Sequence, residues 1–292
     1  MSEKKGFNKK KIIIGTANFG YKYGLLNSRK QINIREIKKI LNFCKKNKID
    51  FFDTATSYGN SEKVIGNLSN LGSKIITKIP KINYQNEKKI DFFLSRLISN
   101  SLKLLKKKQI YAILFHDETQ LLSKNGKKIF KSLNNFKQKK IIQKIGVSFY
   151  STKKLLKTLN NYDLDLVQIP INYLDQKFLN IKIINLLKKK RVEVHARSIF
   201  LKGLLLKNYT KNRKFKKFIH YLNNWHKFNK VTNLESSISF LSNLDFISKY
   251  IVGIENLSQL KQIIKTKRKI IKKYPEFNSN FIKDPRKWSL KK

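Results

Sequence analysis

Phe51-Phe52-Asp53-Thr54-Ala55-Thr56-Ser57-Tyr58-Gly59-Asn60-Ser61-Glu62 reads as one passage from strand to helix. A short apolar run stops at a carboxylate, Gly59 supplies a turn, and Asn60 or Ser61 stands where a helix cap belongs. Val64, Ile65 and Leu68 then keep a helical spacing. Taken alone, the stretch is either a capped turn with a surface tyrosine or the rim of a site holding two titratable side chains. Its recurrence along the chain decides the fold.

Working outward, short β-branched or aromatic runs are expected as strands at 11–15, 49–53, 73–78, 110–116, 141–148, 165–170, 192–197 and 251–253. Amphipathic stretches lie between them, as at Ile34, Ile37, Ile40, Leu41 and Cys44, or Ile90, Leu94, Leu97, Ile98 and Leu105. Strands alternating with crossover helices predict a parallel α/β sheet. Eight such units in 292 residues fit a (β/α)8 TIM barrel, a single domain over 1–292, better than an open doubly wound sheet. The rhythm breaks once, predicting an extended helical and loop insertion at about 203–247 between the seventh and eighth strands. Beyond Tyr274 the tail reads as polar and surface-wrapping.

The formal charge is +47, but only eight of the 65 basic residues are Arg. Planar, bidentate recognition of phosphate and guanine favours Arg, so the lysine excess reads as compositional drift over solvated faces, and no specific nucleic-acid partner is expected. The single cysteine, Cys44, falls on an apolar helical face and reads as a buried thiol in a reducing compartment. No run approaches a membrane span, and Ser2-Glu3-Lys4-Lys5-Gly6 has no signal-peptide core, so a cytoplasmic protein without membrane association is expected.

In a (β/α)8 barrel the active site lies at the carboxyl ends of the strands. The residues closing the expected strands are Gly15, Asp53, Lys78, His116, Ser148, Gln168, Arg197 and Gly253. All four alanines, Ala17, Ala55, Ala112 and Ala196, sit in strand-end segments. Asp53, Lys78 and His116 would stand side by side with Tyr58 reaching over them. A free tyrosine titrates near about 10, and an adjacent ammonium stabilises its anion and lowers that value. Lys78 would supply the charge, Asp53 would keep Lys78 protonated, and His116 could donate a hydrogen bond to a substrate oxygen. His195 lies deeper on its strand and reads as structural; His220 and His226 show no metal-ligand spacing, and no metal is expected.

The ordered set Gly15-Thr-Ala-Asn-Phe-Gly20, Asp53 to Glu62, Thr77-Lys78, Leu114-Phe-His116, Gly146-Val-Ser148, Val167 to Asn172, Ala196 to Leu204 and Val252 to Glu255 resembles the aldo-keto reductase family over nearly the entire chain. The resemblance implies NADPH-dependent reduction of a small-molecule aldehyde or ketone, with NADH as the alternative cofactor. It implies Tyr58 as general acid, Lys78 and Asp53 tuning it, and His116 orienting the carbonyl. Cofactor contacts carry over to Gly15, Thr16, Ser148, Gln168, Arg197, Ser198, Gly253, Glu255 and Gln259. Ser148 and Gln168 match the holders of the nicotinamide carboxamide, and Arg197 stands where a Tyr commonly stacks on the nicotinamide ring. Gly253 and Gln259 replace the Lys and Arg used for the 2′-phosphate, and Glu255 is placed to accept from a ribose hydroxyl. The loop after the expected seventh strand, Ala196-Arg-Ser-Ile-Phe-Leu-Lys-Gly-Leu-Leu205, resembles that of a bacterial subgroup associated with surface-sugar metabolism, implying a sugar-derived carbonyl. Two other readings remain: a non-catalytic nucleotide-binding regulatory barrel, and a Lys-rich nucleic-acid-binding protein.

Overall fold

The computed structural model describes residues 7–23, 31–69, 72–82, 87–208 and 210–288. The N-terminal stretch 2–6 lies outside them. Eight parallel strands close into a barrel in sequence order. They are β1 (Ile12–Gly15), β2 (Phe51–Asp53), β3 (Lys74–Ile79), β4 (Ile110–Phe115), β5 (Ile142–Ser148), β6 (Leu166–Pro170), β7 (Glu193–Arg197) and β8 (Lys249–Gly253). Each expected strand is present. The starts of β2 and β8 shift most, β2 beginning two residues late at Phe51 and β8 two residues early at Lys249; β4 ends at Phe115, leaving His116 as the first loop residue.

The alternation of side chains along each strand divides the core in two. Ile12 and Ile14, Phe52 and Ile75 face outward into the layer formed with the helices, where Ile37, Ile40, Leu94, Ile98, Leu133 and Leu155 are fully enclosed. Ile13, Phe51, Ile76, Ala112, Leu114 and Leu166 fill the barrel interior. Full burial of each such aliphatic side chain contributes about 1.5–3 kcal/mol, enough for the repeated pattern to fix which face points in. Cys44 is buried among them and burial pushes its thiol up to about 12, as expected of a structural cysteine.

The insertion carries two helices, Arg213–Phe228 and Asn233–Ser242, the second opened by a capping box between Thr232 and Glu235. The tail is less polar in its packing than in its composition. Phe277 meets Phe218 at 5.1 Å, Phe281 and Trp288 meet Phe215 at 5.6 and 5.1 Å, and Tyr274 stacks on Tyr173 at 5.8 Å. These rings anchor the tail along the first insertion helix and return it to the carboxyl end of the barrel. No helix among the described residues is long and apolar enough to cross a membrane.

Candidate active site

The β2 turn is pinned to the β1 turn by small residues and hydroxyls. A Cβ on Gly20 would lie 1.6 Å from the Tyr58 carbonyl oxygen, and Gly59, at φ +57°, turns the chain beside the Gly20 carbonyl. Asn60 occupies the cap position of helix Ser61–Leu68 without capping it through its side chain. Ser61 is instead tied inward, its hydroxyl 3.0 Å from the Thr16 carbonyl oxygen and 2.9 Å from the Thr16 hydroxyl. Thr16 in turn donates its hydroxyl to the Asp53 carbonyl at 2.9 Å and is fully buried. Thr16 therefore holds the two turns together from below the mouth.

Asp53 and Lys78 form an enclosed ion pair. Lys78 Nζ lies 2.6 Å from Asp53 Oδ2, with the two side chains 6 % exposed or less, and also donates to the Thr54 carbonyl at 3.0 Å. Gln168 Nε2 donates to the other Asp53 oxygen at 2.6 Å. The Lys78 ammonium is 5.3 Å from the centre of the Tyr58 ring, and the His116 ring meets that ring edge-on at 6.2 Å. Asp53, Lys78, Tyr58 and His116 are thus brought together, as the strand count requires.

The electrostatics differ from expectation in one respect. The Tyr58 phenol is pushed well above its ordinary value, first by burial and then by the Asp53 charge, with Arg197 opposing. The expected lowering by Lys78 is absent because the Lys78 charge is met at close range by Asp53. Burial draws the Lys78 pKa down while Asp53 supports its charged form. The His116 imidazole is pushed down to about 4, by desolvation at the barrel rim and then by Lys78 and Arg197. His116 is exposed at the rim, and its imidazole is neutral at pH 7.

The expected cofactor residues line the same end of the barrel. Gly15 lies between Asp53 and Gly253 in the strand register. Gln168 is fully buried and its Oε1 has no hydrogen-bond partner. Ser148 accepts from Arg197 Nε at 3.0 Å, and Arg197 Nη2 donates to the Phe149 carbonyl at 2.9 Å; the Phe149 ring is buried in the outer core. One face of Arg197 packs on Tyr150, Cζ 3.8 Å from the ring centre. Ser198, at φ +55°, accepts at its carbonyl from Asn172 Nδ2 at 3.2 Å. Beyond β8, the Leu257 and Gln259 amides in the first turn of helix Leu257–Lys265, and the Glu255 amide before it, are already engaged. Leu257 N donates to Glu36 Oε1 at 2.8 Å, Gln259 N to Asn256 Oδ1 at 2.9 Å, and Glu255 N to Gln259 Oε1 at 2.8 Å.

The sequence reading does not place Tyr150 or Arg286 at the mouth, yet Arg286 Cζ is 3.7 Å from the same Tyr150 ring. The available signal is the rarity of Arg in so Lys-rich a chain. His195 is structural, as expected. It is fully buried, with Nε2 2.7 Å from Glu193 Oε1, and Glu193 also accepts from Tyr111 at 2.7 Å and pairs with Lys144. His226 is buried against Ser236 and His220 contacts Asn224.

The family model described as "Aldo/keto reductase family" matches residues 11–274. No curated protein sequence matches the chain. Among solved structures, PA4992, a Pseudomonas aeruginosa protein assigned to the aldo-keto reductases, superposes with a TM-score of 0.64 at 18% identity, over 87% of this chain and 88% of that one. The holo form of aldo-keto reductase AKR11C1 from Bacillus halodurans superposes with a TM-score of 0.69 at 15% identity, over 87% and 85%. At these identities the superpositions speak to the fold, which they share. The match over most of the sequence goes further: the chain belongs to the aldo-keto reductase family, oxidoreductases of small-molecule carbonyl compounds that generally use NAD(P)H.

Proposed function

We propose that the chain reduces an aldehyde or ketone, of sugar-derived type, to the alcohol with NAD(P)H, and that Tyr58 is the general acid. The observation that carries this reading is the Asp53–Lys78 pair enclosed beside the Tyr58 ring, with the His116 ring edge-on to that ring. When bound, the cofactor supplies a hydride. The residues present fit it: the unpartnered, buried Gln168 Oε1 suits an amide N–H donor such as the nicotinamide carboxamide, with Ser148 beside it in the register. Gly15, Ser198 and Gly253 would let the cofactor approach closely, while Glu255 and Gln259 stand at its adenosine end.

The chain's own part is proton handling. His116, neutral at pH 7, donates a hydrogen bond to the carbonyl oxygen and orients it. Tyr58 keeps its proton in the resting site because its pKa is raised, and gives it up only as negative charge develops on that oxygen. The phenolate left behind is stabilised by Arg197. At the adenosine end, Glu36, Asn256 and Gln259 already satisfy three backbone donors. A 2′-phosphate would meet occupied amides and two carboxylates there, which favours NADH over the NADPH that the resemblance alone implies.

The test is loss of nicotinamide absorbance when purified protein is mixed with NADH or NADPH and small aldehydes such as methylglyoxal or nitrobenzaldehyde. Consumption proportional to protein is expected. Rates no greater than those without protein, with either cofactor, would contradict the reading.

A further inference from the structure

Two of the chain's eight arginines meet on one ring at the barrel mouth. Arg197, closing β7, and Arg286, from the tail, place their Cζ atoms 3.8 and 3.7 Å from the centre of Tyr150. Overall basicity does not explain the choice, since all but eight of the 65 basic residues are lysine. Arg adds a flat array of donors that stacks on aromatic faces and matches carboxylate or phosphate oxygens.

The two guanidinium groups are not equivalent. Arg286 is neutralised locally, since its Nε and Nη2 bond to Asp284 at 2.9 and 2.7 Å. The turn that carries it is fixed by Lys202, which donates to the Pro285 carbonyl at 3.4 Å, and by Trp288 against Phe215. Arg197 donates only to neutral oxygens, Ser148 Oγ and the Phe149 carbonyl. Among the described residues no carboxylate forms an ion pair with it. It closes β7 at the same end of the barrel as the reacting centre, and its charge acts on Tyr58, His116 and Lys78. A half-buried cation without a counter-charge, beside a second cation held in place, is costly unless an anion completes it.

We propose that Arg197, braced by Tyr150 and flanked by Arg286, binds an anionic group carried by the carbonyl substrate, so that the preferred substrates are aldehydes or ketones bearing a carboxylate or a phosphate ester. This rests on the reductase reading above and deepens it. Tyr58 and His116 address the carbonyl, and Arg197 addresses the charged end.

The experiment compares kcat/KM for succinic semialdehyde against butanal, and for glyceraldehyde 3-phosphate against glyceraldehyde, in the wild type, Arg197→Met and Arg197→Lys. At least one anionic member should be preferred tenfold or more in the wild type, and which pair shows the preference tells carboxylate from phosphate. Arg197→Met should collapse that ratio, whatever becomes of the absolute rates, and Arg197→Lys should restore part of it. A wild-type ratio near one for both pairs overturns the proposal. So does an unchanged ratio in Arg197→Met with a raised Kd for NADH, which would assign Arg197 to the cofactor. A binding arm is independent of turnover: succinate or inorganic phosphate should raise the melting temperature of the wild type and not of Arg197→Met. If neither aldehyde class is reduced but this Arg197-dependent protection is seen, the reductase reading falls and the anion site stands. No protection by either anion counts against the anion site.

Discussion

Lys78 and Asp53 are bonded at 2.6 Å with side chains 2 % and 6 % exposed, so the cation beside Tyr58 enters the site already neutralised by its partner. Removing one member leaves the other charge buried and alone, which costs about 3–5 kcal/mol. Asp53→Asn and Lys78→Met should each lose stability on that scale in urea unfolding. The double variant should recover part of the loss, because no unpaired charge remains.

The position of Tyr58 depends on two glycines packed backbone to backbone. Gly20→Ala puts a methyl group where the Tyr58 carbonyl stands, at 1.6 Å, and so must displace the tyrosine turn. A misplacement of about 1 Å can cost roughly 100-fold in rate. The expected outcome is a loss of kcat of that order together with a lower melting temperature. Near-wild-type kcat in a stable Gly20→Ala protein would show that the turn does not set the tyrosine.

Acid stability should report the interior network on β7. Burial alone would raise the Glu193 carboxylate, but hydrogen bonds from His195, Lys144 and Tyr111 outweigh it and hold its pKa at about 2. The folded value lies below the unfolded one, so the contribution is complete above about pH 4.5 and is lost as pH falls toward 2. Glu193→Gln should flatten that part of the stability–pH curve. It should leave the curve's shape above pH 5 alone.

His116 offers a second pH test, read on rate. With its imidazole pushed down to about 4, it stays neutral across the usual assay range. The acid limb of kcat should therefore fall near pH 4 rather than near 6.5. His116→Gln, which keeps a donor, should retain more activity than His116→Ala.

Cofactor choice should follow the helix after β8. With Glu36 accepting from Leu257 N, Kd for NADH, read by quenching of protein fluorescence, should be lower than Kd for NADPH. Glu36→Gln combined with Glu255→Gln should narrow the gap by improving NADPH. A tighter Kd for NADPH in the wild type would contradict this.

Most of the frame was legible because it depends on local periodicity. The eight strands and the helices between them follow from runs such as Phe51-Phe52 or Ile142 to Val147, and once the barrel closes in order, Asp53 and Lys78 must be neighbours. The remainder depends on contacts that no short spacing encodes. The raised Tyr58 pKa follows from burial and then from the Asp53 charge, neither of which the mere presence of Lys78 in the sequence reveals. Arg286 reaches Tyr150 across more than a hundred residues, because Phe277, Phe281 and Trp288 dock onto a helix in the insertion. Those aromatics are scattered among Lys, Asn, Asp and Pro and only short helical turns, Asn280–Lys283 and Pro285–Lys287, form there, so the tail reads as polar.

The central claim is that Tyr58 gives the proton. Single-turnover hydride transfer from bound NADH to a small aldehyde, measured for the wild type and Tyr58→Phe beside the Kd for NADH of each, tests it most directly. The account predicts that Tyr58→Phe binds NADH with a Kd within a few-fold of the wild type and transfers hydride at least a hundredfold more slowly, a loss typical of removing a general acid. Equal transfer rates in the two proteins would contradict it.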